Sequence, residues 1–249
     1  MAGLTNTIAA FVAQPGLATI PAEAARTIRS GFIDTIATML AARDEPITHL
    51  MRGHVRAKRS GLAESSLLLA NEYAGAADAA LVNGAAGHAL DYDDVLRIMR
   101  GHPTAPVAPS VLALGEREGI SGADALTAFI AGIETQARVG AYMGESHYMT
   151  GWHQTATVGT FGAAAASSRL LGLDTDTTAT ALGIAGTQAA GLKAMFGTMC
   201  KPLHAGKAAA NGVMAAELAK RGFASRMDVL ECAQGFGATQ SSTIAPAAA

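Results

Sequence analysis

Seven histidines supply most of the proton-transfer chemistry available to this 249-residue chain: His49, His54, His88, His102, His147, His153 and His204. No two of them form the HExxH pair of a zinc helix, and Cys200 and Cys232 are far from CxxC spacing. The nearest approach to a metal set is Asp91, Asp93, Asp94 and His102. It reads either as a polar helix end whose acids cap backbone groups or as hard-metal ligands. The closing glutamate of a calcium loop is missing, so no metal is expected. In "SHYMTGWHQTA", His153 stands just before a long small-residue helix, where it is a base at a cleft edge or a surface cap. In "TMCKPLHAGKAAANG", Lys201 precedes Pro202, and His204 and Lys207 lie three residues apart on one helical face. Two lysines and a histidine near a helix start suit an anionic ligand, with a solvated helix end as the alternative.

The elements that must position these groups are helices. Apolar spacing predicts a helix at about 3–15, ending at "QPG", and a second from Pro21 through Leu40. Residues 44–62 read as a polar loop with a short helix, 67–70 as an ambiguous apolar run, and about 75–90 as an alanine-rich helix. After an irregular segment at 91–104, "APVAPSVLALGEREG" resumes a helix with its prolines at the start. The clearest helix spans 122–143, capped by Ser121 or its neighbour; 153–170 and 176–190 form a pair with an aspartate capping the second, and 203–221 is closed by Gly222. The run "GTFGAAAASSRLLG" at 159–172 implies close helix packing. One helical domain over 1–240 follows, with 241–249 as a poorly anchored tail.

Composition supports the helices and narrows the functions. Alanine at 56 positions and glycine at 28, with aromatics at 5%, describe a core of small side chains, and alanine has the highest helix propensity. At 50% hydrophobic and 15% charged residues, the chain is too apolar to stay disordered. A net charge of −2 gives no general attraction to a phosphate backbone, so no nucleic-acid partner is expected. No apolar run reaches membrane-spanning length, the N-terminus lacks a signal-peptide pattern, and the sparse cysteines suit a reducing compartment. A cytoplasmic protein without membrane contact is the expectation. GxGxxG, Walker and serine-elbow motifs are absent, and no cofactor is expected.

Four blocks, "LVNGAAGHALDYDD", "GHPTAPVAPSVLAL", "ATVGTFGAAAASSRLLGL" and "KPLHAGKAAANGVMAAELAKRGF", make the chain resemble the MmgE/PrpD family over almost its whole length. That family includes 2-methylcitrate dehydratase, cis-aconitate decarboxylase and an iminodisuccinate epimerase. The resemblance implies an all-α domain that the family follows with an α/β lid, and this chain reads as the helical part without the lid. It assigns catalytic roles to Asp91, to His102 in the "HP" motif, to His153 and to Lys201. His204 and Lys207 are the expected substrate-binding groups. Val95 stands where the decarboxylase has a threonine, and the loop before His102 looks one residue longer. The expected function is that of a lyase or isomerase on a small di- or tricarboxylate, with water loss preferred over CO2 loss. A non-catalytic carboxylate-binding or partner-supporting subunit is the alternative. The resemblance also implies a homodimer, and the lid-less reading a partner able to supply the lid.

Overall fold

The computed structural model describes residues 3–14, 20–68 and 70–246. Its helices are α1 (Leu4–Ala13), α2 (Ala22–Ala41), α3 (Pro46–Lys58), α4 (Ala76–Gly87), α5 (Thr104–Glu118), α6 (Gly122–Thr150), α7 (Gln154–Leu170), α8 (Thr175–Gly186), α9 (Cys200–Lys220) and the short α10 (Phe236–Gln240). Among the described residues the only sheet is an antiparallel pair, β1 (Ser65–Leu67) and β2 (Glu72–Ala74), with Ser66 opposite Tyr73. The fold is all-α. Caps lie where short polar side chains precede apolar periods: Ser121 accepts from Asp124 N at 3.2 Å and Asp174 from Thr177 N at 2.8 Å. Gly222, at φ 85°, lies two residues beyond α9 in the left-handed region that favours glycine.

Helix α7 is the centre of the molecule, because residues 154–168 carry no charge and every one of them is buried. Small side chains let its neighbours come close. A Cβ added at Gly162 would lie 2.4 Å from Gln136 Cγ of α6, and one at Gly212 of α9 would lie 2.4 Å from Ala163 Cβ. The α4–α9 crossing is tighter still, since a Cβ on Gly206 would stand 2.2 Å from the Leu81 carbonyl oxygen. This crossing sets the chemistry of the molecule. It brings the C-terminal end of α4 and the N-terminal end of α9 to the same place.

Three parts of the fold differ from the sequence expectation. Residues 46–58 form a full helix, with Ile47 and Val55 buried and Met51 packed on the same side, where a loop with only a short helix is expected. Pro109 lies inside α5 rather than at its start. The tail is anchored as far as it is described: Ser241 Oγ donates to Met143 O at 2.7 Å, and Ala245 N donates to Tyr142 O at 2.8 Å. Residues 247–249 lie outside the described residues. Among the described residues, no helix is long and apolar enough to cross a membrane.

Candidate active site

The 91–102 segment that follows α4, the last turn of α6, the N-cap of α7, Phe196 and the start of α9 form an open cavity of about 620 Å³, lined by Asp91, Val95, Arg97, Arg100, Gly101, His102, Tyr148, His153, Phe196 and Lys201. Four residues expected from the sequence to be catalytic therefore share one cavity. Asp91 sits just after α4 at φ 58°, a left-handed conformation that aspartate tolerates better than most residues. Its carboxylate meets the Lys201 ammonium directly and lies 3.4 Å from His102 Nε2. Burial opposes ionisation of Asp91, yet the Lys201 hydrogen bond and charge outweigh it and hold the carboxyl below its ordinary range.

Behind this front lies a buried carboxylate that serves two imidazoles. Asp93 has a fully buried side chain, receives His88 Nδ1 at 2.9 Å, and lies 3.2 Å from His102 Nδ1. Burial alone would neutralise Asp93, but the two histidine hydrogen bonds keep it ionised and drive its pKa strongly down. His102 responds in the opposite sense. Desolvation disfavours its charge, whereas the Asp93 hydrogen bond and the charges of Asp93 and Asp91 prevail, so His102 holds its proton above the ordinary histidine pKa. The His102 backbone N–H donates to Thr155 Oγ1 at 3.0 Å, fixing this loop to the start of α7.

His153 is the N-cap residue of α7, and its N–H donates to Gly191 O at 2.9 Å. Its ring is 2% exposed and stands 3.0 Å, nitrogen to nitrogen, from His204 Nδ1, so one imidazole donates and the other accepts. Phe196 covers it edge-on at 4.9 Å. Desolvation first, then the neighbouring His88, His204 and Lys201, push the His153 pKa down to about 2. Burial lowers His204 as well. One cavity thus presents an imidazole whose proton affinity is raised and one whose proton affinity is lowered. Two like groups pushed apart by their surroundings are the physical signature of divided acid and base roles.

His204 reaches the site through His153, whereas Lys207, one turn further along α9, is exposed and outside the cavity lining. The sequence reading gave no role to His88, Phe196 and Tyr148, and weighed Asp93 only as a helix-end cap or a metal ligand. His88 and Asp93 were visible inside "HALDYDD", but five-residue spacing across a helix end has no simple periodic signature. Asp94, grouped with Asp91 and Asp93 in sequence, turns the other way and accepts from Thr104 Oγ1 at 2.5 Å at the start of α5. His88, Asp91, Asp93 and His102 offer donor atoms within 4.8 Å of one another, enough to hold a metal ion. The fit is poor, because Asp93 already meets two imidazoles and a divalent ion on Asp91 would face the Lys201 ammonium.

Residues 6–246 match the MmgE/PrpD N-terminal domain, and the chain belongs to the MmgE/PrpD family. It is 41% identical over 165 residues to the cis-aconitate decarboxylase of Homo sapiens, an alignment covering 64% of this chain and 34% of that protein. The cis-aconitate decarboxylase of Mus musculus is 39% identical over 165 residues, with 64% and 34% covered. That of Aspergillus terreus is 39% identical over 164 residues, with 63% and 34% covered. The alignments thus span about a third of the length of these relatives.

Proposed function

We propose that the cavity is the site of a carboxylate lyase, and that the bond it breaks first is the one to a departing CO2. The supporting observation is the imbalance between acid and base. His102 keeps a proton above its ordinary pKa, while His153 and Asp91 are both poor proton acceptors. Water loss needs a base to take a proton from carbon. Loss of CO2 from an unsaturated polycarboxylate needs a positive centre and an acid instead. The carbon–carboxylate bond breaks, its electron pair spreads into the remaining unsaturated acid as an extended enolate, and the His102 proton ends on carbon. Lys201 holds the developing negative charge as a compact ammonium. Similarity to cis-aconitate decarboxylases supports this order of preference over dehydration. Val95, on the cavity wall where the family resemblance gives a threonine, weighs against it.

A second reading is favoured by one observation: the Asp91 side chain is 55% exposed, so water reaches the front of the site. A carboxylate-binding subunit without turnover fits that exposure. Purified protein incubated with cis-aconitate, 2-methylcitrate, citrate and iminodisuccinate, with products followed by NMR, separates the two. The lyase reading expects CO2 loss from cis-aconitate, reduced about a hundredfold or more in Lys201→Ala and His102→Gln. Binding without product selects the second reading, and product formed equally by the wild type and both variants rejects the site.

A further inference from the structure

The inner wall of the cavity carries the groups used above, but its outer wall is built by residues 95–101 and carries two further cations, Arg97 and Arg100. This segment is a fixed turn. Leu96 N donates to Gly101 O at 2.9 Å across an isolated antiparallel bridge, residues Arg97–Met99 form one turn of 3-10 helix, and Arg100 closes it at φ 48°. Met99 is its anchor, with no exposure, packed where a Cβ on Gly140 would fall 2.5 Å from its own Cβ.

Neither arginine is committed elsewhere to any useful degree. Among the described residues Arg97 has no carboxylate within ion-pair distance, and Arg100 meets only Glu145 at 3.4 Å, with both side chains well exposed. Such an exposed pair contributes little and yields to a better partner. Lys201, by contrast, is already engaged by Asp91, the one acid among the residues lining the cavity. A ligand carrying a single carboxylate would satisfy Lys201 and His102 and leave two guanidinium groups facing the same space. A planar guanidinium binds carboxylate through paired N–H donors, and 620 Å³ accommodates a small polycarboxylate.

We propose that Arg97 and Arg100 form a second anion subsite that holds a carboxylate remote from Lys201 and makes the site selective for substrates with two or more carboxylates. This rests on the carboxylate-lyase reading. Binding is read by NMR titration of the protein's histidine ring signals, a method sensitive to millimolar ligands, at fixed ionic strength. The ligands are cis-aconitate and the monocarboxylate crotonate, and the chains are wild type, Arg97→Gln/Arg100→Gln, Arg97→Lys/Arg100→Lys and Lys201→Ala, each checked for an unchanged melting curve.

The glutamine pair is expected to weaken cis-aconitate by about tenfold or more while leaving crotonate within about twofold, with the lysine pair recovering part of the loss. Lys201→Ala is expected to weaken both ligands. Equal weakening of both ligands by the glutamine pair, or no weakening of cis-aconitate, overturns the subsite. Loss on the glutamine pair with no effect of Lys201→Ala keeps the subsite and removes the reading beneath it. Failure of cis-aconitate to bind the wild type removes both.

Discussion

The most consequential residue is Asp93, which contacts no ligand space and decides what the two histidines can do. By accepting from His88 and His102 it raises the proton affinity of His102, while His153, which has no carboxylate partner among the described residues, is pushed the other way by burial. This has a measurable cost in acid. The unfolded chain protonates His153 near its ordinary pKa, about 6.5, whereas the folded chain refuses that proton until about 2. A depressed histidine pKa therefore removes stability as pH falls between these values, at a slope of up to about 1.4 kcal/mol per pH unit. His204 acts in the same sense. His102, raised, has already given its full contribution below about pH 6.5 and does not compensate there. Urea unfolding between about pH 6 and pH 4 should show stability declining, and a His153→Gln variant should decline less steeply. Equal slopes would contradict the burial of a neutral imidazole. The front residues Asp91, His102 and Lys201 were legible because they sit in recognisable blocks, and His153 because it stands three residues before one. Asp93 was not, because in sequence it is one of three near-identical acids, and only the turn at Asp91 directs it inward and Asp94 away.

At the scale of elements, the site depends on how closely α4 and α9 cross. Gly84 and Gly206 meet there, and a Cβ at Gly84 would fall 2.9 Å from Gly206 Cα. Four residues on from Gly84 is His88, and five and two residues before Gly206 are Lys201 and His204. Gly206→Ala should therefore push the helices apart, destabilise the chain by about 1–3 kcal/mol, and weaken carboxylate binding although it touches no ligand. Calorimetric melting and ligand titration on the same sample check both. A variant that melts lower but binds unchanged would show that the crossing supports the fold and not the site. The helices themselves were readable from caps and apolar periods, as at Ser121 and Asp174. Helix α3 was not, since His49, Arg52, His54, Arg56 and Lys58 crowd the three-position stripe of Ile47, Met51 and Val55. The β1–β2 pair escaped too, because three-residue strands are shorter than any periodic signal.

At the scale of the molecule, the segments around the cavity mouth end in exposed apolar side chains: Tyr92 at 75%, Val95 at 64%, Ile98 at 51% and Met149 at 68% exposure. Leu192, Phe196 and Met199 on the segment before α9 are exposed as well, and apolar side chains left in water in such number favour association. We therefore expect self-association, and light scattering at micromolar concentration should give a dimer or larger; a monomer at all concentrations would count against it. The deeper property of the whole fold is that three helix ends, far apart in sequence, place two imidazoles in one cavity and push their proton affinities in opposite directions. Histidine-ring NMR titration of the folded chain, repeated in urea, reads this directly. We expect that His102 titrates above about 6.5 and falls back toward it in Asp93→Asn, that His153 stays neutral until acid unfolds the chain, and that both converge near 6.5 in urea. Two folded-state histidines titrating together near 6.5, or His153 taking its proton before His102, would contradict it.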